Sequence, residues 1–266
     1  MCTVLKVSRS GFYAWVKSGA NRYAHANRQL DVNIRAIFNE NKGRYGAPRI
    51  TKALRALNIK CGRKRVANRM RTINLKALAK RKFKATTDSA HKLPVFDNVL
   101  DRDFKAQGIN QKWTSDITYI STKEGWLYLA VIIDLFSRAI IGWSMSTFLK
   151  KELVCNALTM ALFRRKFPKN VIVHSDRGSQ YCSHEYRRML KQNNLIGSMS
   201  RKGNCWDNAP SESLFHTLKV ELVQSNIFEN RDEAKQQIFN YIEGYYNKKR
   251  IHSAIDYKTP YEMECA

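Results

Sequence analysis

The sequence predicts an α/β protein, a mixed five-stranded sheet flanked by helices, preceded by a small, basic, all-helical region. Three observations carry this expectation. Positive charge is lopsided: residues 1–100 hold 23 Lys/Arg against 4 Asp/Glu, whereas residues 101–266 hold 24 against 18, within a net charge of +25. Apolar residues recur at helical spacing in the first part and in β-rich runs after about residue 100. Three such runs come in succession before strand and helix patterns begin to alternate. At 44% hydrophobic the 266 residues can bury a core, which excludes a disordered polyelectrolyte. A basic module of this kind attracts a polyanion, of which nucleic acid is the commonest.

The elements read in order as follows. VSRSGFYAWVKS looks like the turn and second helix of a helix-turn-helix, with too few residues ahead of it for the first. LDVNIRAIFNENKGRYG sets Leu30, Ile34 and Ile37/Phe38 at helical spacing, closed by Gly43 and Gly46. APRITKALRALNI aligns Ile50, Leu54 and Leu57, and CGRKRVANRMRTINL aligns Val66, Met70 and Ile73 with Arg63, Lys64, Arg65, Arg69 and Arg71 around them. Two short helices broken at 58–62, the second studded with Arg, fit a helix-turn-helix whose second helix meets DNA; a solvated basic helix is the alternative. The predicted boundaries are 1–75 for this region, 76–100 for a basic linker without periodicity, and 101–266 for the α/β domain.

In that domain QKWTSDITYI is β-rich, STKEG a turn, WLYLAVIIDLF a continuous apolar strand and RAIIGWSM a third strand, predicting antiparallel hairpins. KKELVCNALTMALFRRKF predicts a helix, NVIVHSD a buried strand, SHEYRRMLKQNN a helix and LIGSMS a short strand. PSESLFHTLKVELV and RDEAKQQIFNYIEGYYN complete the pattern as helices. This order matches the ribonuclease-H-like fold.

Six scattered cysteines include no CxxC pair, so a zinc site is not expected and free thiols in a reducing cytosol are. The N-terminus has no apolar core of signal-peptide length, and the run near LYLAVIIDLF is too short to span a membrane. A cytoplasmic protein is expected.

Asp116 falls inside WTSDITYI, where a buried carboxylate is costly without a metal or a hydrogen-bond network. Asp176 falls where VIVHSD runs out, the strand end at which open α/β sheets put ligand sites. Singly, each candidate has a plain structural alternative: Asp176 a turn residue or helix cap, Asp134 a strand end paired with Arg138, Glu212 a solvated helix acid, His174 a core histidine, Lys219 a surface cation. Together they make a pattern. Thirty-five residues separate Asp176 from Glu212, and Lys219 follows Glu212 by seven, which at about 100° per residue puts both on one helix face. Asn208 and Pro210 read as the cap and first turn of that helix, with Trp206 as an anchor for the preceding loop.

WTSDITYI, the apolar hairpin through DLFSR, HSDRGSQY and GNCWDNAPSESLFHTLKVE closely resemble the catalytic domain of transposases of the IS-three insertion-sequence family, in the DDE transposase and retroviral-integrase superfamily. The resemblance extends through GRYGAPRI and the Arg-rich helix to nearly the whole chain. It implies that Asp116, Asp176 and Glu212 form the catalytic triad, holding two Mg²⁺ ions, with Mn²⁺ as the substitute, roughly 4 Å apart for phosphoryl transfer. Asp116 would bridge both ions, and Lys219 would contact a DNA phosphate. The partners implied are the terminal inverted repeats of a mobile element, target DNA, further copies of the chain, and an upstream-frame protein or fusion. A catalytically inactive or domesticated DNA-binding protein, and a resolvase-like nuclease of the same fold, are the alternatives.

Overall fold

The computed structural model describes residues 2–5, 7–18, 21–78, 93–224 and 226–265. The chain divides into two compact units, Met1–Lys80 and Arg81–Ala266. Most of the stretch read as a linker, 79–92, lies outside the described residues.

The first unit is helical: α1 (Arg9–Ser18), α2 (Asn21–Glu40), α3 (Ala47–Ala56) and α4 (Arg63–Thr72). Ile34, Ile50, Leu54 and Val66 are completely buried between the last three. Pro48 in the first turn of α3 suits a position whose N–H has no helical partner. Both α3 and α4 stop at an asparagine in the left-handed region, Asn58 (φ 60°) and Asn74 (φ 57°). Ile59 N–H then closes on the Leu54 carbonyl at 2.9 Å and Leu75 N–H on that of Met70 at 2.8 Å. These endings correct the expected core: Leu57 lies beyond the last turn of α3 and is exposed, and Ile73 caps α4 half-buried. Arg69 donates to both carboxylate oxygens of Asp31 at 2.8 and 2.6 Å, tying α4 to α2.

The second unit is the mixed five-stranded sheet of a ribonuclease-H-like fold. Strands β1 (Lys112–Thr122), β2 (Gly125–Asp134), β3 (Ile140–Ser146), β4 (Ile172–Ser175) and β5 (Ile196–Met199) lie in the order β3-β2-β1-β4-β5. The first three form antiparallel hairpins, and β4 and β5 add parallel to β1. Helix α5 (Lys151–Arg164) packs on one face with the short α6 (Ser179–Cys182) and α7 (His184–Gln192). The other face carries α8 (Ala209–Leu218) and α9 (Arg231–Phe239), with α10 (Pro260–Glu264) closing the chain. From Leu127 to Ile133 strand β2 is apolar because both its sides are covered there: Ala130 and Ile132 face α5, while Leu127, Leu129, Val131 and Ile133 face α8 and α9. Gly142 permits the close approach of α5, since a Cβ there would meet the Ala157 carbonyl and lie 2.8 Å from the Ala161 side chain.

Two helices of the second face widen into π turns, over Lys219–Val223 and Asn240–Tyr246. Gln224 N–H reaches back five residues to the Lys219 carbonyl at 2.8 Å. A buried ion pair joins the two turns: Arg250 donates through Nη2 to Glu221 Oε1 at 2.8 Å and through Nε at 3.0 Å, and Tyr241 O–H donates to Oε2 at 2.9 Å. Both charged side chains are about 95% buried, with 5% and 6% exposure. Removing one partner would strand the other in a low-dielectric interior. Arg250→Ala should therefore cost about 3–5 kcal/mol in chemical denaturation; a cost below about 1 kcal/mol would show that the pair is not what ties the segment after the second π turn to the first.

Candidate active site

Strand β1 sets the geometry. Its parallel register with β4 pairs Lys112 with Ile172 and Thr114 with His174. Continued by two residues, that register brings Asp176 level with Asp116, just past the end of β4 at Ser175. Because side chains alternate, Asp116 shares a face with Thr114. Thr114 Oγ1 donates to Asn208 Oδ1 at 3.1 Å and makes a short bond with Ser211 Oγ, so this face looks at the start of α8. Glu212 is the next residue along, exposed in the first turn of α8. Lys219, where the π turn opens, holds its ammonium 4.8 Å from the centre of the Tyr119 ring. The structure thus brings Asp116, Asp176, Glu212 and Lys219 together at one end of the sheet, close enough for each to act on the charge of Asp116.

Asp116 is held well above the usual carboxylate range. Burial is the first cause, the charge of Asp176 the second, and Glu212 adds to it. Ile117 N–H, donating to Asp116 Oδ1 at 2.8 Å, pulls the other way, and Lys219 opposes the rise more weakly. Glu212 is exposed as a residue, but partial desolvation of its carboxyl raises it as well. Asp176 Oδ1 accepts the Gly178 N–H at 2.9 Å, a tight turn that fixes this carboxylate where the strand ends. Behind the cluster, Tyr181 is buried against Ser115 Oγ at 2.9 Å, and burial followed by the Asp116 charge pushes its phenol up. Among the described residues, no three His, Cys, Asp or Glu side chains converge tightly enough to enclose one ion.

The other sequence candidates have structural employment. Asp134 is fully buried, and alternation turns it to the face away from α8. Its carboxylate accepts N–H bonds from Asn110 and Phe136 at 2.8 and 2.9 Å and faces Arg165 at 3.9 Å. The expected side-chain pairing with Arg138 is replaced by a backbone bond, Arg138 N–H to the Asp134 carbonyl at 2.8 Å. His174 sits in the core between Ser198 (2.9 Å) and Ser200 (3.1 Å), and burial lowers it to about 4, so it stays neutral.

The loop before α8 also differs from expectation. Trp206 does not anchor it; the indole is 70% exposed. The anchor is Asp207, fully buried, which accepts from Arg201 Nε and Nη2 at 2.9 Å each, Arg102 Nε at 2.7 Å and Asn98 Nδ2 at 3.2 Å. Asn208 occupies the cap position of α8, but its side chain serves Thr114 instead of the helix N–H groups. The only sequence sign of Asp207 is a lone acid in a loop that opens with Arg201 and Lys202. In the first unit Arg63, Lys64, Arg65 and Arg71 are exposed on α4, Arg65 within 3.0 Å of Asn27 Oδ1, while Arg69 is committed to Asp31.

An integrase core domain model matches residues 106–205 and a second one residues 212–264; an HTH-like domain matches residues 24–83. Transposase InsF for insertion sequence IS3A of Escherichia coli (strain K12) is 50% identical over 266 aligned residues, 99% of this chain and 92% of that protein. An uncharacterized 31 kDa protein of insertion element IS600 from Shigella sonnei is 44% identical over 260 residues, 98% of this chain and 96% of that protein. A chain of a simian T-cell lymphotropic virus intasome superposes with a TM-score of 0.51 at 15% identity, covering 81% of this chain and 74% of that one, a likeness of fold alone. Sheet, integrase core and relatives define a DDE-class polynucleotidyl transferase. Within that class, the chain belongs to the IS3 family of insertion-sequence transposases. No helix among the described residues is long and apolar enough to cross a membrane.

Because its guanidinium partners hold Asp207 below the usual carboxylate range, this residue stabilises the fold above the ordinary carboxylate pKa, and that contribution is lost as pH falls toward the folded-state value. Asp207→Asn should cost roughly 1–3 kcal/mol in urea denaturation at pH 7. The gap to the unsubstituted protein should narrow below about pH 4; a gap independent of pH would contradict the assignment.

Proposed function

We propose that this transposase cuts the ends of its insertion element and joins them to target DNA by metal-dependent phosphoryl transfer, with Asp116, Asp176 and Glu212 as the metal-holding carboxylates. The observation that carries the reading is the electrostatic state of Asp116: a half-buried carboxylate level with Asp176, beneath the helix bearing Glu212, and destabilised by both. Three carboxylates offer hard oxygen donors, the kind Mg²⁺ and Mn²⁺ prefer, and their excess negative charge is what a divalent cation offsets. Two ions would each take a pair of carboxylates, Asp116 with Asp176 and Asp116 with Glu212. That scheme does not call for three side chains around one ion, since Mg²⁺ keeps waters and substrate oxygens for the rest of its shell.

Ions held by Asp116, Asp176 and Glu212 would supply an activated oxygen nucleophile and relieve charge on the departing 3′ oxygen. The chain's own residues do the positioning. Lys219, on the same helix as Glu212, is suited to hold a phosphate oxygen of the scissile strand. Gly178 and Ile117 N–H groups fix the Asp176 and Asp116 carboxylates, so that little reorganisation is needed when the phosphate arrives. Cleavage leaves a 3′-OH, which then replaces water as the nucleophile toward target DNA at the same site. The exposed cations of α4, Arg63, Lys64, Arg65 and Arg71, support the HTH-like unit as a reader of the terminal inverted repeats. Partners under this reading are element-end and target DNA, further copies of the chain in the DNA complex, and the product of an upstream frame.

Asp116→Ala, Asp176→Ala and Glu212→Ala should each lower strand transfer with Mg²⁺ on labelled element ends by at least about a hundredfold, the scale of a lost transition-state charge contact, while end binding persists. Lys219→Ala should weaken DNA binding and flatten its salt dependence by about one unit of slope. Strand transfer surviving any one of the three acid substitutions would remove that residue from the site.

A further inference from the structure

A pair of aromatic rings lies beside Lys219 at the edge of the sheet, on the face that strand alternation turns away from Asp116. Strand β1 runs eleven residues, but β4 pairs with it only at Lys112, Trp113 and Thr114. Beyond Asp116, the described residues border that edge only at its far end, where Thr122 bridges Phe228. Tyr119 stands between these points, with the Lys219 ammonium 4.8 Å from its ring centre. Trp126, on the partner strand of the hairpin, meets Tyr119 edge to face at 5.0 Å and 87° and is 49% exposed. The Trp126 ring centre therefore lies within 9.8 Å of the Lys219 ammonium. Its backbone is held rigid: Arg231 donates to the Trp126 carbonyl at 3.2 Å and to the Glu124 carbonyl at 2.7 Å.

We infer that Trp126, backed by Tyr119, is a stacking platform for an unpaired nucleobase next to the phosphate held by Lys219. The inference rests on the proposed site, because Lys219 supplies the phosphate contact that brings the base within reach. At about 3.4 Å per nucleotide, the distance spans no more than about three bases from that phosphate. A half-exposed indole on a tied hairpin is preorganised for such a contact, and every base offers it a π face. A cation beside the rings completes the arrangement that single-stranded nucleic acid favours: charge for the backbone, aromatic surface for the bases. Duplex ends opened at a cleavage site present such bases. Trp126 is on this account a positioning residue; it does not touch the reacting atoms.

The test pairs protein and DNA changes. Trp126→Ala and Trp126→Phe are assayed for binding to a duplex of the inverted repeats that flank the reading frame, intact or with one abasic residue walked across three nucleotides on either side of the scissile phosphate. On intact DNA, Trp126→Ala should bind about tenfold more weakly, the scale of one lost aromatic–base stack, while Trp126→Phe keeps most of the affinity. At one abasic position the Trp126→Ala penalty should vanish, because the base it would stack on is already gone. A Trp126→Ala penalty of the same size on every duplex, or none on intact DNA, overturns the inference. Either of those results together with an inactive Asp116→Ala protein leaves the metal-site reading standing. An Asp116→Ala protein that still performs strand transfer sinks the reading itself.

Discussion

The structure turns on a carboxylate placed where carboxylates are costly. Asp116 occupies the middle of the central strand, half-buried, with a second acid level with it and a third on the helix above. One backbone N–H and the weaker pull of Lys219 do not balance burial and the neighbouring acids, and the side chain is driven toward its neutral form. A protein built only for stability would carry a threonine there, as the same face of the strand does at Thr114 and Thr118. The fold carries an electrostatic cost at this point, and under the proposed function a divalent cation bound there would offset it.

Much of the remaining architecture keeps that point in place. The hydroxyls of Thr114 and Ser211, with the amide of Asn208, fasten the first turn of α8 to β1 two residues from Asp116. Asp207, gripped by Arg102 and Arg201, fixes the loop that delivers α8. At the other end of the helix, the buried Glu221–Arg250 pair holds the π turn that begins at Lys219. Glu212 and Lys219 are thus suspended between two ionic ties, one ahead of the helix and one behind it. Fixing a helix at both ends is what keeps side chains seven residues apart aimed at one spot.

What could be read from the sequence was whatever depends on local pattern. The succession of strands and helices along the chain followed from apolar runs and their punctuation, and Asp116 stood out because WTSDITYI is otherwise a buried strand. Lys219 could be matched with Glu212 by helical spacing alone. The ionic ties could not be read, because Glu221 and Arg250 lie 29 residues apart and Asp207 and Arg102 lie 105 apart, and nothing local marks either pair. The same limit sent Asp134 to Arg138 on sequence, when its partners come from Asn110, Phe136 and Arg165. Leu57 and Ile73 fit the helical period but fall past asparagines that end their helices in the left-handed conformation, a feature that periodicity does not register. Trp206 looked like an anchor for its size, whereas the small buried acid beside it holds the loop.

The central claim is that three carboxylates share two divalent ions, with Asp116 common to both. Counting Mn²⁺ bound to the protein–DNA complex tests it most directly, by calorimetry together with paramagnetic resonance. The account predicts two ions for the unsubstituted protein, one for Asp176→Asn, one for Glu212→Gln, and none held tightly for Asp116→Asn. It further predicts that metal-free Asp116→Asn melts higher than the unsubstituted protein, since the charge that needed compensation is gone. Two ions retained by Asp116→Asn, with no gain in metal-free stability, would contradict it.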